Sequence, residues 1–270
     1  MDLRDLLSIR RLEKFPGWNK YKQQFKRNIK LLSFDRFYIF NIYGEANVGK
    51  TYLLDQFRCI AQENGVSYAT VGKEFDDVPS FRGKIYEDLR ISGASEFIFE
   101  TLYSNYVRLR SELVSNPSRP KYTNDFLGGN LLNIDELRIS PEKDIAKRIN
   151  TWSTEQDWRQ SEEIKDTVSE LAKYIESQIL ESSDRKLIEN PIDELTPDFL
   201  SFLNETAKAN SVVLFFDDYH INKVILDEWL RDLVSPFRYG KGLPGNIILV
   251  ISGHEKIDRE KWSLFDSFII

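Results

Sequence analysis

Four short runs of apolar residues occur along the chain, and longer stretches with helical periodicity separate them. Continuous apolar runs of this length are typical of strands that are buried on both faces of a parallel sheet. Helical patterns alternate with the runs, so we expect an α/β fold with a parallel sheet flanked by helices. The predicted strands are Phe37–Tyr43, Val66–Val71, Ser211–Phe216 and Asn246–Ser252, with Ser267–Ile270 as a weaker fifth strand.

The predicted second and third strands are too far apart for a simple crossover. A crossover unit needs about 30 residues or somewhat more, whereas residues 76–190 all lie between these strands. We therefore expect a helical subdomain inserted at 76–190, within a sheet domain built from 37–75 and 191–270, and a helical element at 1–36. The helical patterns of the insertion are Ser80–Leu89, Ser95–Ser115 and Glu162–Glu181.

The first predicted strand runs directly into the segment GEANVGKT, Gly44–Thr51. This segment matches the pattern G-x-x-x-x-G-K-[ST] of phosphate-binding loops, and a helical pattern follows it. Glycines let the backbone bend and approach oxygen atoms closely. The loop amides and the N-terminus of the next helix present N–H groups and a positive dipole end to phosphate. The residues expected to bind nucleotide here are Gly44, Glu45, Ala46, Asn47, Val48, Gly49, Lys50, Thr51 and Tyr52.

Four side chains have predicted roles in phosphate chemistry. Lys50 is expected to reach the β and γ phosphates, and the hydroxyl of Thr51 is expected to coordinate Mg²⁺. The third predicted strand ends in Asp217 and Asp218, at the sheet edge where open α/β sheets bind ligands. We expect Asp217 to hold Mg²⁺ through water and Asp218 to orient or deprotonate the attacking water. The alternative is that Asp218 only caps the next turn.

The fourth predicted strand ends in Ser252, Gly253 and His254. In P-loop ATPases with a strand inserted between the loop strand and the acidic strand, the tip of the inserted strand faces the γ-phosphate. By this resemblance, Ser252 is predicted to sense that phosphate by hydrogen bonding. The two histidines of the chain, His220 and His254, follow the tips of the strands that flank the site. Either imidazole would donate to phosphate in a pH-dependent way. The alternative is that both are ordinary loop histidines.

Composition and charge argue against several other classes of protein. One cysteine and two histidines among 270 residues exclude a disulfide framework and a multi-cysteine zinc site. No apolar stretch approaches the roughly 18 residues of a membrane span, and the first residues lack a signal-peptide core, so we expect a cytoplasmic protein. The net charge of −6 gives no bulk attraction to nucleic acid. The basic stretch Lys20–Lys30 is expected to be a solvated helix face, with contact to nucleic acid or a partner as the alternative.

These motifs resemble those of the STAND class of signal-transduction ATPases, which are relatives of the AAA+ group. In that class the N-terminal element packs near the adenine, which implies that Phe15, Gly17 and Trp18 contact the base. The chain departs from the class at Trp18, where arginine is usual, and near His254, where many members carry a sensor arginine. The segments that carry the resemblance are Phe15–Trp18 with the helix Tyr21–Leu32, Asn41–Thr51, Leu214–His220 with Glu228–Asp232, and Ile248–His254 with Trp262 nearby.

The resemblance implies a switch that holds ATP or ADP with Mg²⁺, hydrolyses ATP slowly, and acts through oligomerisation or a protein partner. Such a protein is an enzyme, an ATPase, in which Lys50, Asp218, Ser252 and His254 are the predicted catalytic residues. We expect a sheet of order 5-1-4-3-2 with helices on both faces and with the first strand in a central position. Two alternatives remain: a nucleotide-binding interaction module without catalysis, and a DNA-associated AAA+ ATPase. No membrane partner is expected.

Overall fold

The computed structural model describes residues 17–32, 36–75, 77–91, 97–120, 123, 127, 161–221 and 223–270. Phe15, a predicted base contact, lies outside these residues. In chain order the elements are α1 (Trp18–Lys30), β1 (Tyr38–Tyr43), α2 (Lys50–Glu63), β2 (Ser67–Val71), α3 (Val78–Ile91), α4 (Phe97–Ser115), α5 (Ser161–Gln178), α6 (Ser182–Glu189), α7 (Pro191–Ala209), β3 (Val212–Phe216), α8 (Lys223–Val234), α9 (Pro236–Tyr239), β4 (Ile247–Gly253) and a 3₁₀ helix (Ser263–Phe268).

Four parallel strands form one sheet in the order β1-β4-β3-β2. Every residue of β3 and β4 is buried, because both strands lie inside the sheet with helices against its two faces. This burial explains why their apolar runs are continuous instead of alternating. The predicted α/β class with a parallel sheet flanked by helices is therefore confirmed.

The predicted strand order 5-1-4-3-2 is wrong because the C-terminal residues do not form a fifth strand. The end of the chain forms only one isolated parallel bridge, between Ile39 and Ile269. Backbone hydrogen bonds hold it beside β1, from Ile270 N to Ile39 O at 2.8 Å and from Asn41 N to Ile270 O at 3.1 Å. A longer strand does not form because the 3₁₀ helix continues to Phe268, which leaves two residues for pairing. β1 is consequently the edge strand of the four-stranded sheet and not a central one.

Two hydrophobic clusters cover the two faces of the sheet. Neighbouring residues of a strand point to opposite faces, so Val213 belongs to one cluster and Leu214 to the other. The smaller cluster joins α1 and α2 to the sheet, and its rings of Phe25 and Phe57 stack with centroids 4.0 Å apart. The larger cluster joins the other face to helices α3 to α8.

The three helical patterns predicted between the second and third strands are confirmed as α3, α4 and α5. Helix α3 follows β2 and packs along it. Thr70 N of β2 donates to Asp88 Oδ2 of α3 at 3.0 Å. Helix α3 therefore shares its core with the sheet, and α4 and α5 contribute to the same hydrophobic cluster.

Arg82 of α3 is charged and fully buried, on the helix that packs into the larger hydrophobic cluster. Its guanidinium donates to Thr196 Oγ1 at 3.0 Å, to Ile192 O at 3.1 Å and to Pro191 O at 3.3 Å. Its Cζ atom also lies 5.8 Å from the ring centroid of Trp229. Burial lowers the pKa of Arg82 to about 10, so the side chain stays charged at neutral pH. Arg82 therefore connects α3 to the start of α7 and to α8.

We expect Arg82→Ala to lower the free energy of unfolding by about 3 kcal/mol, because buried acceptors lose their donor and a cavity forms. Chemical denaturation measures this change. The matched control is Arg108→Ala, whose ion pair with Glu112 is exposed, and its effect should stay below about 0.5 kcal/mol. Equal effects of the two substitutions would contradict the role given to Arg82.

Candidate functional site

The segment between β1 and α2 is a tight loop whose shape depends on its two glycines. Gly49 has φ 92° and ψ 22°, a left-handed conformation that favours glycine, and it directly precedes α2. A Cβ atom at Gly44, whose φ is 155°, would lie 3.2 Å from Cγ2 of Val48. Asn47, at the centre of the loop, also has a positive φ of 63°. The two glycines of the sequence pattern therefore stand where the backbone conformation and the space favour glycine.

The ammonium group of Lys50 is held by the loop itself. Its Nζ atom donates to Gly44 O at 2.7 Å and to Glu45 O at 2.8 Å. These carbonyls use two of the three N–H donors of an ammonium group. Helix α2 begins at Lys50, and no side-chain hydrogen bond caps Gly49. The loop therefore combines a fixed positive charge with the positive end of a helix dipole.

The other predicted binding residues lie around the start of α2. Glu45, Ala46 and Thr51 are exposed. Trp18 is the first residue of α1, and its ring lies 5.3 Å from that of Tyr52, with the planes tilted by 31°. Gly17 directly precedes Trp18. The structure therefore brings the start of α1 beside the first turn of α2.

The tip of β3 places the two predicted carboxylates next to β4. Asp217 N donates to Val71 O at 2.9 Å, and Tyr219 N donates to Ser252 O at 2.8 Å. Asp218 adopts a left-handed conformation with φ 53°, and its N–H donates to Asp217 Oδ1 at 3.0 Å. Aspartate accepts this conformation better than most residues do. Both carboxylates are half-buried at the carboxyl edge of the sheet.

Two buried polar atoms, one at the tip of β4 and one in the turn after β3, have no hydrogen-bond partner among the described residues. Ser252 is fully buried, and its register partner on β1 is Ile42. Among the residues that the structure describes, neither Ser252 Oγ nor His220 Nδ1 has a hydrogen-bond partner, although both atoms are buried. Each such atom costs about 1–3 kcal/mol. His220 also stacks on His254, with ring centroids 3.6 Å apart and an interplanar angle of 20°.

The charged and titratable groups around His220 come from the loop 44–51 and from the tips of β3 and β4. Burial is the main cause that lowers the pKa of His220, and the neighbouring His254 and Lys50 lower it further. Asp218 and Asp217 act in the opposite direction. The lysine of the loop, the two aspartates of β3 and the histidine of β4 therefore influence one imidazole. The structure brings these predicted residues together at one edge of the sheet.

The oxygen donors at this edge suit Mg²⁺ when it comes with a phosphate ligand. Thr51 offers a hydroxyl and Asp217 a carboxylate, and Mg²⁺ usually takes one or two protein carboxylates together with waters and substrate phosphates. Within the described part of the chain, no group of three or more histidines, cysteines, aspartates and glutamates could hold a metal ion. These two oxygen donors would fit a Mg²⁺ ion whose other ligands are waters and nucleotide phosphates.

Asn41 of β1 positions the segment that follows β4. Its Oδ1 atom accepts a hydrogen bond from Ile257 N at 3.1 Å, and its Nδ2 atom donates to Ile251 O at 3.5 Å. One polar side chain inside an apolar strand thus connects two neighbouring strands near their ends. The sequence motifs include this residue only as the start of the segment Asn41–Thr51 and predict no role for its side chain.

Asp227 of α8 is a buried residue of the site region that the sequence patterns did not indicate. It accepts hydrogen bonds from Tyr219 Oη at 2.5 Å, from Trp262 Nε1 at 2.8 Å and from Arg231 Nε at 3.2 Å. Burial is the main cause that raises the pKa of Tyr219, so its hydroxyl remains a donor. Asp227 therefore fixes the turn between Asp218 and His220. The only local signal was its spacing from Arg231, which is equally typical of exposed helix pairs.

A comparison of the chain with models of known protein families gives no match, and a comparison with curated protein sequences gives none either. The resemblance to STAND ATPases therefore rests on the quoted motifs alone. None of the helices in the described ranges is long and apolar enough to cross a membrane.

We expect Asp227→Ala to lower the free energy of unfolding by about 2–4 kcal/mol, because the buried donors of Tyr219 and Trp262 lose their acceptor. A double-mutant cycle with Tyr219→Phe, followed by chemical denaturation, should give a coupling energy above about 0.5 kcal/mol. The control is Asp266→Ala, which removes an exposed carboxylate paired to Arg259. Additive effects of Asp227→Ala and Tyr219→Phe would argue against the bond between these residues.

Proposed function

We propose that this chain binds ATP and ADP with Mg²⁺ and works as a slowly hydrolysing switch of the STAND or AAA+ type. The observation that carries this proposal is the loop 44–51. Its glycines suit the backbone shape, the carbonyls of Gly44 and Glu45 hold the Lys50 ammonium, and α2 begins at once behind it. The loop also lies at the carboxyl edge of a parallel sheet, where ligands bind in open α/β folds.

The phosphates would be bound mainly by backbone amides of the loop and of the first turn of α2. Lys50 would add a positive charge, and Ser252 Oγ and His220 Nδ1 would gain the polar partner that they lack among the described residues. The ring pair of Trp18 and Tyr52 lies beside this loop and would offer an apolar surface to the base.

Hydrolysis would depend on the two aspartates after β3. Thr51 and Asp217 would hold Mg²⁺, which supplies positive charge to the phosphate oxygens when it is bound. Asp218 would accept the proton of the attacking water. STAND ATPases usually carry an arginine at the position of Trp18, and many carry a sensor arginine near the position of His254, so this site would have less fixed positive charge for the transition state. Turnover is therefore expected to be slow until a second copy or a partner supplies an arginine.

We expect Lys50→Ala to weaken MgATP binding by about 10- to 100-fold, because the phosphate no longer receives a charge-assisted hydrogen bond from the ammonium group. Asp218→Asn should bind MgATP with wild-type affinity and release no phosphate. Calorimetric titration measures binding, and phosphate release at several protein concentrations measures turnover. The matched control is Lys208→Ala, since Lys208 is an exposed lysine paired with Glu205 on α7, and it should change neither quantity.

The outcomes of this experiment separate the alternatives. Turnover that rises with protein concentration and disappears in both variants supports an assembly-dependent ATPase. Binding of MgATP without turnover under every condition supports the nucleotide-binding interaction module instead. A wild-type chain that binds neither MgATP nor MgADP would refute the proposed nucleotide site.

The exposed face of α1 favours a second candidate function, association with DNA. Helix α1 buries Phe25 and Ile29 against the sheet side, and its sequence WNKYKQQFKRNIK contains no acidic residue. A basic face of this kind binds phosphate backbones in a salt-dependent way. The exposed basic residues of this face are Lys20, Lys26, Arg27 and Lys30.

If α1 binds DNA, the combined substitution of Lys26, Arg27 and Lys30 by alanine should weaken binding to a DNA duplex. It should also reduce the slope of log affinity against log salt by about one for each phosphate that these side chains neutralise. Fluorescence anisotropy at several salt concentrations measures both effects, and Lys173→Ala with Lys208→Ala is the control. A wild-type chain without salt-dependent DNA binding rules this function out and leaves the nucleotide proposal intact.

A further inference from the structure

The stacked imidazoles of His220 and His254 connect the tips of β3 and β4. His254 is exposed and covers one face of His220, which is half-buried. The backbone is close at this point, because a Cβ atom at Gly253 would lie 3.6 Å from His220 N. Like charges at short distance oppose each other, and His254 is one of the groups that lower the pKa of His220.

The charged groups around the pair come from several elements and act on His220 in opposite directions. Lys50 at the start of α2 disfavours a proton on His220, whereas Asp217 and Asp218 at the tip of β3 favour one. Beyond His254, the carboxylate of Glu255 is already paired with Lys223 at 3.1 Å. Burial is the largest cause that lowers the pKa of His220, and His254 and Lys50 lower it further. An added anion beside the pair would shift this balance toward the protonated imidazole.

Two buried polar atoms indicate what kind of ligand the pair would meet. His220 Nδ1 and Ser252 Oγ are both buried, and neither has a partner within the described residues. Buried polar groups in native proteins nearly always have partners, so such exceptions point to a ligand or a function. A phosphate oxygen is an acceptor for a protonated imidazole and for a hydroxyl, and its charge suits Lys50 as well.

We infer that the His220–His254 pair distinguishes ATP from ADP by taking up one proton when a terminal phosphate lies against it. The inference rests on the proposed nucleotide site and adds a proton-linked preference for the triphosphate. The proton comes from solution and is bound by the imidazole pair, and it is released when the terminal phosphate leaves. Affinity for the triphosphate therefore rises as pH falls, whereas affinity for the diphosphate does not depend on this pair.

The test compares MgADP with the Mg²⁺ complex of ATPγS, a slowly hydrolysed triphosphate whose terminal group is itself ionised at neutral pH. Calorimetric titrations of the full chain at pH 6, 7 and 8 give the affinity ratio of the two nucleotides. As pH falls, the affinity for ATPγS should increase relative to that for ADP. The increase should be at most about tenfold per pH unit, which is the limit for the uptake of one proton. Titrations in two buffers of different ionisation enthalpy should show proton uptake with ATPγS and less with MgADP.

Substitution of the histidines assigns the effect to the pair. His220→Gln and His254→Gln keep a polar side chain that does not titrate, so each should show a nearly constant affinity ratio of the two nucleotides across this pH range. Glu255→Gln, which changes an exposed neighbour, should keep the wild-type pH dependence. Thermal melts of each variant verify that it is folded.

Two results would overturn the inference while leaving the nucleotide site in place. One is a wild-type ratio that does not change with pH and no proton uptake with ATPγS. The other is an unchanged pH dependence in both histidine variants. Failure of the wild type to bind either nucleotide would instead refute the proposed function, and the inference with it.

Discussion

The parallel pairing of β4 with both β1 and β3 is the constraint on which the candidate site depends. In this register Ser252 stands opposite Ile42, and Ile251 stands opposite Phe216. The loop that leaves β1, the polar tip of β4 and the aspartates after β3 therefore reach one edge of the sheet at the same level. Polar groups delivered to one edge must find partners there, from backbone, side chains or a ligand. The stacked histidines and the buried hydroxyl of Ser252 follow directly from this crowding.

The residues at this edge of the sheet differ in the number and burial of the contacts that hold them. The turn after β3 is anchored through Tyr219 to the buried carboxylate of Asp227, and the segment after β4 is anchored to the side chain of Asn41. On the larger-cluster face, Arg82 connects α3 with α7 and α8. Lys50 and the imidazole pair, by contrast, are held by two carbonyls and by ring contact. A ligand could rearrange the contacts of Lys50 and of the imidazole pair without disturbing the hydrophobic core. A conformational change on ligand binding would therefore begin at these contacts.

Sequence patterns predicted the parts of this structure that local physics determines. The apolar runs of β3 and β4 are continuous because both strands are buried on two faces. The loop before α2 requires glycines at fixed positions, which a sequence motif can detect. The fifth strand was predicted wrongly, because residues up to Phe268 continue a 3₁₀ helix and periodicity does not detect so short a helix. Arg82 and Asp227 were missed because a single charged residue in an amphipathic helix usually faces water. Their partners, among them Pro191 and Trp262, come from distant parts of the chain that helical spacing does not encode.

The proposed site would differ from that of the STAND ATPases, which its motifs resemble, mainly in the kind of positive charge that meets the terminal phosphate. An arginine keeps its charge at every physiological pH, so a sensor arginine responds to phosphate alone. A histidine whose proton is disfavoured by burial and by Lys50 becomes a strong donor only when an anion lies beside it. The stack of His220 on His254 strengthens this dependence, since a second imidazole at 3.6 Å opposes protonation of the first. A switch built in this way would combine two inputs, the terminal phosphate and the proton concentration, in a single contact at the edge of the sheet.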